Sequence, residues 1–327
     1  MIYKKVSRIK EPISAIAIGC WNFGGDWDCS DDQNTETIVN KAVDMGINFL
    51  DVAPVYGWGH SEEVLGRVLR ASHLRDKVII ASKAGLLWDE HHKTRNNLSK
   101  ASLMEECEAS LRRLQTDHID IYQMHWPDPS VPLEETAEAL AELKAAGKIR
   151  YIGLSNFAQK DMEKMMDMVG VDCQQGLYNM FERNTDTYHG IPLAYRTEKE
   201  VLPNVLKYGQ AYLPYSPLFQ GLLAGKFNNG ITFSSRDIRN ENPKLTGAAF
   251  EMYRQAAVKL QTLADSFGVP MNEIALNWLI QNPAITTIIG GVSSEKQLEQ
   301  NVHCMSWSID ETMMRKIDEI IEPFREI

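Results

Sequence analysis

The segment Ile47-Asn-Phe-Leu-Asp51 is a short, mostly apolar run that ends in an acidic residue, and it is one of eight short apolar runs in the chain. The runs alternate with amphipathic helical patterns, which is typical of βα units around a parallel sheet. They read as nearly continuous apolar segments, as strands buried on both faces do. The predicted strands are Ala15–Gly19, Ile47–Asp51, Val78–Ser82, Ile119–Met124, Arg150–Leu154, Cys173–Leu177, Gln210–Pro214 and Thr286–Ile289. Eight runs favour a closed (β/α)8 TIM barrel, an α/β fold, and we expect residues 1–327 to form this one domain.

Segments outside the strands are predicted to close the bottom of the barrel and to cover its C-terminal face. Tyr3–Ile9 and Ile13–Ala17 flank Glu11-Pro12, which predicts an N-terminal β-hairpin at the bottom of the barrel. Long irregular loops are expected to project from the C-terminal face, where they would cover a site. These loops are Leu86–Leu98, Met180–Thr197 and Phe227–Gly247.

Several helix ends are also legible in the sequence. Ser99 is a predicted N-cap for a helix whose apolar residues recur at helical spacing, and Gly147 is placed to end the helix that begins near Leu133. Ser308 and Glu311 have the spacing of a capping box for a C-terminal helix that runs through Ile321.

Composition excludes several classes of function. The formal net charge of −10 opposes nucleic acid or an anionic membrane as the main partner. The N-terminal residues lack the apolar core of a signal peptide, and no apolar stretch reaches the roughly 18 residues of a membrane span. The scattered cysteines suit a reducing compartment and oppose a disulfide framework or a zinc site, so we expect a cytoplasmic protein without a metal. They are Cys20, Cys29, Cys107, Cys173 and Cys304.

Polar or aromatic residues follow the predicted strands at nearly every turn. In a barrel of this kind, functional groups lie just beyond the C-terminal ends of the strands. The residues at these positions are Trp21, Asp51, Lys83, His125, Ser155, Asn156, Gln175, Tyr215, Gly290 and Gly291.

Asp51 and Lys83 would meet at the mouth of the barrel if their strands are neighbours. A structural salt bridge is one interpretation, although burial makes such a pair an undependable source of stability. The other interpretation is catalytic: Tyr56 follows in a glycine-flanked loop, and a buried cation beside it would lower the pKa of the phenol toward neutrality. The phenol would then be a usable proton donor.

His125 ends the fourth strand in Gln123-Met-His-Trp-Pro. A lone histidine beside apolar residues is often a core residue, but its position in the ring with Asp51 and Lys83 favours a functional role. His91-His92 is interpreted as a solvated loop rather than a pair of metal ligands. Three tryptophans are candidates for an aromatic wall around a substrate, or else fill the core: Trp21, Trp88 and Trp126.

These residues resemble the aldo-keto reductase superfamily over essentially the whole chain. The family's catalytic tetrad matches Asp51, Tyr56, Lys83 and His125, and Asp51-Val-Ala-Pro-Val-Tyr56-Gly is similar to the family's D-T-A-x-x-Y-G. Further motifs follow in the family's order: Gly153-Leu-Ser-Asn-Phe157, Gln175-Gly-Leu-Tyr-Asn179, Tyr215-Ser-Pro-Leu218 and Gly221-Leu-Leu-Ala-Gly-Lys226. Phe233 and Asp237-Ile-Arg-Asn240 resemble the bacterial branch related to inositol-operon and general-stress proteins.

The resemblance implies roles in binding a nicotinamide cofactor. Ser155, Asn156 and Gln175 would bond the carboxamide, and Tyr215 would stack on the nicotinamide ring. Leu218, Gln220 and Gly221 would offer backbone N–H groups to the pyrophosphate, for which close approach needs glycine. The remaining implied cofactor contacts are Gly19, Cys20, Trp21, Asp51, Ser216, Lys226, Arg239, Gly291, Ser293, Gln297 and Asn301. Two of these segments also have a structural interpretation without a cofactor: Ser155-Asn156 could be a helix N-cap, and Tyr215-Ser-Pro could be an ordinary turn at the end of a strand.

The family resemblance and the residues after the eighth strand favour different cofactors. The resemblance favours NADP(H), whereas Gly291-Val-Ser-Ser294 and Gln297 stand where many NADP-preferring members carry basic residues. A 2′-phosphate normally needs a cation. We expect NADP(H) with at most a modest preference over NAD(H), and the candidate cations are Arg236, Arg239 and Lys296.

The resemblance implies reversible reduction of a small-molecule aldehyde, ketone or sugar carbonyl. Tyr56 would protonate the carbonyl oxygen, Lys83 would lower the pKa of Tyr56, Asp51 would orient Lys83, and His125 would orient the substrate. Substrate contacts are expected from Trp21, Tyr56, Trp88, His125 and Trp126. Other classes stay open: a redox-sensing regulatory subunit, a sugar or polyol dehydrogenase, and a Schiff-base aldolase that uses Lys83. The oligomeric state is also open.

Overall fold

A computed structural model describes residues 1–25, 31–227 and 237–326. Eight parallel strands form one sheet in the described part of the chain: the first seven pair in chain order, and the first also pairs with the eighth. The strands are Ile16–Gly19, Phe49–Asp51, Ile79–Ala84, Ile119–Met124, Ile149–Ser155, Cys173–Leu177, Ala211–Tyr215 and Ile288–Gly291. Every predicted strand is present, with its ends shifted by at most two residues.

The seventh strand meets the segment that leads into the eighth. The backbone N–H of Thr286 donates to the carbonyl of Tyr212 at 3.0 Å. The backbone N–H of Tyr212 donates to Oγ1 of Thr286 at 3.1 Å. These bonds bring the two ends of the sheet together, so the sheet is nearly closed and the predicted TIM barrel is confirmed.

Helices connect the strands, because consecutive parallel strands need a crossover. The helices are Asp32–Asp44, His60–Ala71, Lys100–Leu114, Leu133–Ala145, Gln159–Met168, Leu202–Tyr208, Gly247–Phe267, Met271–Gln281, Glu295–His303 and Glu311–Ile321. None of those traced in the described residues has the length and apolar character that a membrane span needs.

Two apolar cores result from the alternation of side chains along the strands. The larger core lies between the sheet and the helices. The smaller core fills the barrel interior, where Ala17, Phe49 and Ile121 pack with Ile9 and Ile13 of the N-terminal hairpin. The hairpin therefore closes the bottom of the barrel, as the sequence predicts.

The turn of this hairpin differs from the prediction. The hairpin pairs Tyr3–Val6 with Ile9–Ser14, and its turn is Ser7-Arg8 rather than Glu11-Pro12. Pro12 lies within the second strand of this two-stranded sheet, and an edge strand tolerates a residue that has no N–H to donate.

The helix ends agree with the sequence in two cases and correct it in a third. Ser99 caps its helix by accepting from the Ser102 N–H, and Gly147 follows the helix Leu133–Ala145 with φ of 73°. The Ser308 prediction is wrong, because the Asp310 carboxylate accepts from the Met313 N–H at 2.7 Å and is itself the N-cap. A carboxylate also interacts favourably with the positive end of the helix dipole.

The loops at the mouth are more ordered than the sequence indicates. Leu86–Leu98 was expected to be irregular, but Leu86–Trp88 and Thr94–Asn96 pair as an antiparallel hairpin. A shorter pair, Thr187–Tyr188 with Ile191–Pro192, interrupts the second long loop. In the third loop two short 3-10 turns follow residue 237, and residues 228–236 lie outside the described part of the chain.

Candidate active site

Lys83 lies at the centre of the candidate site and is fully buried. Its strand is paired with the strand of Asp51 in a register that brings both side chains to the mouth of the barrel. Nζ of Lys83 donates to Oδ2 of Asp51 at 2.7 Å, to the phenol oxygen of Tyr56 at 3.0 Å and to the carbonyl of Val52 at 3.3 Å. All three hydrogens of the ammonium group therefore have acceptors.

A close contact between two glycines brings Tyr56 back over the mouth. Gly57 has φ of 61°, and a Cβ there would lie 1.9 Å from the carbonyl oxygen of Gly24. A side chain at Gly57 would push the turn away from the segment that follows the first strand. The resulting turn places the Tyr56 ring 5.9 Å from the Trp21 ring in a stacked arrangement.

His125 completes the group of predicted catalytic residues. Its ring lies edge-on to Tyr56 with 6.0 Å between the ring centres, and its backbone N–H donates to the Ala84 carbonyl at 2.9 Å. Burial, together with the nearby Lys83 charge, lowers the pKa of His125 well below its ordinary value. The imidazole is therefore neutral at physiological pH and keeps one ring N–H to donate.

The electrostatics of Tyr56 differ from the expected lowering. Burial raises the pKa of the Tyr56 phenol; the Lys83 charge opposes this rise, and Asp51 adds to it. For Lys83, burial acts to lower the pKa, but the Asp51 carboxylate and the Tyr56 phenol outweigh it and the pKa is raised. Asp51 faces the ammonium and compensates much of its charge, so at neutral pH Lys83 is charged and Tyr56 is protonated.

The other oxygen of Asp51 is held by two buried glutamines. Nε2 of Gln175 donates to Oδ1 of Asp51 at 2.8 Å, and Nε2 of Gln123 donates to the same oxygen at 3.3 Å. Sequence reasoning predicts Gln175 as a site residue but misses Gln123. Its signal is a polar residue inside an apolar strand, two positions before His125 and therefore on the same face.

Asn156 makes its hydrogen bonds within the protein. Its Nδ2 donates to the His125 carbonyl at 3.2 Å and to Oγ of Ser155 at 3.1 Å. Its Oδ1 accepts from the phenols of Tyr215 at 2.9 Å and Tyr195 at 3.1 Å. The alternative of a helix N-cap is wrong, because the following helix, Gln159–Met168, begins three residues later. The network orients Tyr215, as ring stacking would need, and Tyr195 was missed by the sequence.

The backbone after the seventh strand fits the phosphates of a dinucleotide. Ser216, Phe219, Gln220 and Gly221 all have positive φ, between 44° and 102°. Left-handed residues among right-handed ones make a concave backbone site of the kind that binds anions. Of the predicted donors, however, the Gly221 N–H already donates to the Leu218 carbonyl at 2.9 Å. Lys226, which is exposed, packs its stem against Gly221, where a Cβ would lie 3.0 Å from Lys226 Cδ. This segment, residues 216–226, is called the strap below.

A buried polar cluster secures the strap, and the sequence did not predict Glu182, Asn242 and Lys244 as members of it. Nδ2 of Asn179 donates to the Ser216 carbonyl at 3.0 Å and to Oε2 of Glu182 at 2.8 Å. Oε1 of Glu182 accepts from Nζ of Lys244 at 2.8 Å. Nδ2 of Asn242 donates to Oε1 of Gln220 at 3.1 Å. These residues fasten the strap to both of the long loops beside it.

The end of the eighth strand leaves room for a ligand. Gly291 pairs with Gly19, and a Cβ at Gly291 would meet none of the described atoms within 4 Å. The buried amide of Asn301 is close beneath, since a Cβ at Gly290 would lie 3.3 Å from its Nδ2. Cys20 is buried behind this edge and its backbone N–H donates to the Asp51 carbonyl at 2.8 Å. This edge and the strap fit a nicotinamide dinucleotide.

Most of the side chains expected near a 2′-phosphate form hydrogen bonds or ion pairs within the protein. Oε1 of Gln297 accepts from the backbone N–H of Ser293 at 2.8 Å and from its Oγ at 3.0 Å. The Arg239 guanidinium forms a two-pronged pair with Asp237, in which Nε donates at 2.8 Å. Lys296 is exposed on the first turn of the next helix. Arg236 lies outside the described residues, as do Phe233 and Cys29.

The aromatic residues near the mouth make ring contacts that the sequence did not predict. Trp21, Trp88 and Trp126 are partly exposed, and Trp126 packs against the outer core. Trp58, which was not predicted, lies 5.8 Å from Trp88 and stacks on His92 with 4.3 Å between ring centres. His92 is exposed in a turn, as predicted, and stacks on Trp58 there. No cluster of residues suited to hold a metal ion occurs among those described.

Comparison with known proteins agrees with this arrangement. A model of the Aldo/keto reductase family matches residues 15–322. The chain belongs to the aldo/keto reductase family. It is therefore an oxidoreductase enzyme of a family that acts on small carbonyl substrates and generally uses nicotinamide cofactors.

Three relatives show how far the similarity extends. This aldo/keto reductase is 36% identical to Aldo-keto reductase YhdN of Bacillus subtilis, over 98% of this chain and 94% of that protein. It is 28% identical to a probable voltage-gated potassium channel subunit beta of Arabidopsis thaliana, over 98% and 97% of the two chains. The solved structure of the glycerol dehydrogenase AKR11B4 from Gluconobacter oxydans is similar with a TM-score of 0.86 and 32% identity, over 99% of this chain and 96% of that one.

Proposed function

We propose that this aldo/keto reductase uses NAD(P)H to reduce the carbonyl group of an aldehyde, ketone or sugar to the alcohol. The observation that carries the proposal is the buried Lys83 ammonium, which is bonded at once to the Asp51 carboxylate and to the Tyr56 phenol. Because Lys83 donates to the phenol oxygen, the phenol O–H is left to donate toward the mouth. When bound, a reduced nicotinamide would supply the hydride for the carbonyl carbon.

The residues around Tyr56 have distinct roles in this proposal. Tyr56 protonates the carbonyl oxygen, and the Lys83 charge stabilises the phenolate that forms as the proton leaves. Asp51 orients Lys83, and the neutral His125 ring donates a hydrogen bond that orients the carbonyl. The raised pKa of Tyr56 keeps the phenol protonated at neutral pH, which suits an acid in the reductive direction.

The cofactor proposal extends to its binding groups. Ser155 and Gln175 would bond the carboxamide, and Tyr215 would stack on the nicotinamide. Asn156, whose amide is bonded within the protein, would act by orienting Tyr215, and the strap would bind the pyrophosphate. We propose that NADP(H) is used with only a modest preference over NAD(H), since Ser293 and Gln297 are neutral. The hydroxyl and amide groups of these residues compensate a phosphate less well than a cation does.

The proposal also includes the setting of the enzyme. Residues 1–327 act as a single barrel domain in the cytoplasm, and the buried free cysteines are typical of a reducing compartment. The negative charge of the chain opposes a nucleic acid or membrane partner.

The direct test is a turnover assay with the purified protein. NADPH and NADH are titrated first, and an aldehyde, ketone and sugar panel follows with the preferred cofactor. We expect consumption of reduced cofactor that depends on the carbonyl substrate and is lost in Tyr56→Phe. Cofactor binding without turnover of any carbonyl would contradict the proposal.

Two alternative functions are supported by particular observations. Similarity to a potassium channel subunit beta supports a redox-sensing regulatory subunit, for which the assay would show bound cofactor but negligible turnover. Similarity to a glycerol dehydrogenase supports oxidation of a polyol or sugar, for which NAD(P)+ and the alcohol would react faster than the reverse pair.

A further inference from the structure

Gln123 lies beneath the mouth of the site, fully buried, and the proposed mechanism gives it no role. We propose that Gln123 is a positioning residue that holds the Asp51 carboxylate and the Gln175 amide in one orientation. In this way it links the orientation of the residues around the proton donor, Tyr56, to that of Gln175, which is proposed to bond the cofactor carboxamide. This inference rests on the proposed function.

The hydrogen-bonding chemistry of Asp51 determines which atom of each glutamine amide points toward it. A carboxylate only accepts hydrogen bonds, so the nitrogen of each amide must point at Oδ1 of Asp51. The Gln175 nitrogen has a second hydrogen, which it donates to Oε1 of Gln123 at 3.3 Å. Both hydrogens of that nitrogen are then used, and the carbonyl oxygen of Gln175 remains as the acceptor for a ligand. Without Gln123, the second hydrogen of Gln175 has no acceptor among the residues that the structure describes.

The barrel makes room for this side chain at a specific position. Gln123 pairs in register with Gly153 of the next strand, and a Cβ at Gly153 would lie 2.6 Å from Cγ of Gln123. Glycine at this position lets the Gln123 amide extend into the barrel interior below the mouth, where Sγ of Cys173 lies 4.0 Å from its Oε1. An apolar side chain would fill the same space with less desolvation. The amide therefore contributes through its hydrogen bonds rather than through its volume.

The electrostatic consequence concerns Tyr56. The N–H donors on Oδ1 stabilise negative charge on the side of Asp51 that faces away from Lys83. With fewer donors, the carboxylate compensates the Lys83 charge more completely, and the phenolate of Tyr56 gains less from that charge. The pKa of the phenol then rises. In the reductive direction the phenol must be protonated, so the alkaline limb of the pH–rate profile moves to higher pH while the maximal rate falls.

The test compares Gln123→Met with Gln174→Met. Gln174 is a matched control, because it is also buried and its amide bonds Gln210 at 2.7 Å and Gln159 at 3.0 Å, away from Asp51. We expect kcat for carbonyl reduction to fall about tenfold or more in Gln123→Met, with the alkaline limb shifted upward. We expect cofactor affinity, measured by fluorescence titration, to weaken in Gln123→Met. In Gln174→Met all three quantities should stay close to those of the unsubstituted protein.

A second variant separates positioning from packing. In Gln123→Glu the carboxyl group has nearly the same shape, and burial beside Asp51 raises its pKa. While protonated, it can donate to Asp51 and accept from Gln175 as the amide does. We therefore expect activity near that of the unsubstituted protein at low pH, lost as pH rises through the pKa of this carboxyl. This result is informative even if Gln123→Met fails to fold.

The outcomes separate this inference from the proposed function. If the unsubstituted protein reduces no carbonyl, the proposed function fails, and cofactor affinity alone then decides the role of Gln123. If Gln123→Met and Gln174→Met have the same pH profile and the same cofactor affinity, Gln123 is only a packing residue and the inference is overturned. Loss of activity in Gln123→Glu that does not depend on pH would overturn it as well.

Discussion

Tyr56→Phe removes one hydroxyl group from the site and leaves the ring in place. The Tyr56 phenol is the proposed acid, and its oxygen accepts a hydrogen bond from the Lys83 ammonium at 3.0 Å. Positioned acids and bases typically contribute about 10²–10⁴-fold to the rate. At about 1.4 kcal/mol for each factor of ten, we expect the activation free energy to rise by about 3–5 kcal/mol. The measurement is kcat/KM for carbonyl reduction under saturating cofactor.

The same substitution should change stability and cofactor binding very little. Lys83 loses one acceptor but keeps Asp51 at 2.7 Å and the Val52 carbonyl at 3.3 Å. A single hydrogen bond contributes about 1 kcal/mol to the free energy of unfolding, and urea unfolding should show a loss of that size or less. Cofactor fluorescence titration should give an affinity close to that of the unsubstituted protein, because the strap and the carboxamide side are untouched.

Tyr122→Phe is the matched control for this prediction. Tyr122 is fully buried in the barrel wall, whereas Tyr56 is partly exposed, and among the described residues the Tyr122 hydroxyl has no hydrogen-bond partner. Its removal should leave kcat unchanged. If Tyr56→Phe retains most of kcat, another group is the acid and the assignment of Tyr56 is wrong. If it loses cofactor affinity instead, the phenol acts in binding rather than in proton transfer.

Three further predictions follow from the geometry. Lys83→Met should lower kcat. It also removes the charge that opposes the raised pKa of Tyr56, so the alkaline limb of the pH–rate profile of any residual activity should move to higher pH. An unchanged limb would show that Lys83 has only a structural role. Lys244→Met leaves the Glu182 carboxylate buried without its cation, so the free energy of unfolding should fall by about 3–5 kcal/mol and cofactor affinity should weaken; normal affinity would show that this pair does not secure the strap. Ser293→Arg should raise affinity for NADP(H) with little effect on NAD(H), and a preference of about a thousandfold in the unsubstituted protein, roughly 4 kcal/mol, would show that a cation is already present.

The barrel and the candidate catalytic residues could be predicted because their signals are local. A parallel strand buried on both faces must be apolar along its length, so each of the eight strands is legible without its neighbours. A polar residue at the end of such a strand then lies at the mouth of the barrel, which is how Asp51, Lys83 and His125 were found. The hairpin turn and the Asp310 cap were missed because several local assignments fit those segments equally well.

What the sequence determined by itself is the set of strands, their order and the polar residues at their ends. Only the tertiary structure decided what those residues bond. Gln123 and Gln175 reach Asp51 from 72 and 124 residues away, and Lys244 reaches Glu182 from 62 residues away. Such contacts depend on the register between strands and on the direction of each side chain across the barrel. Neither follows from hydrophobic periodicity, which reports only the face of an element on which a residue lies.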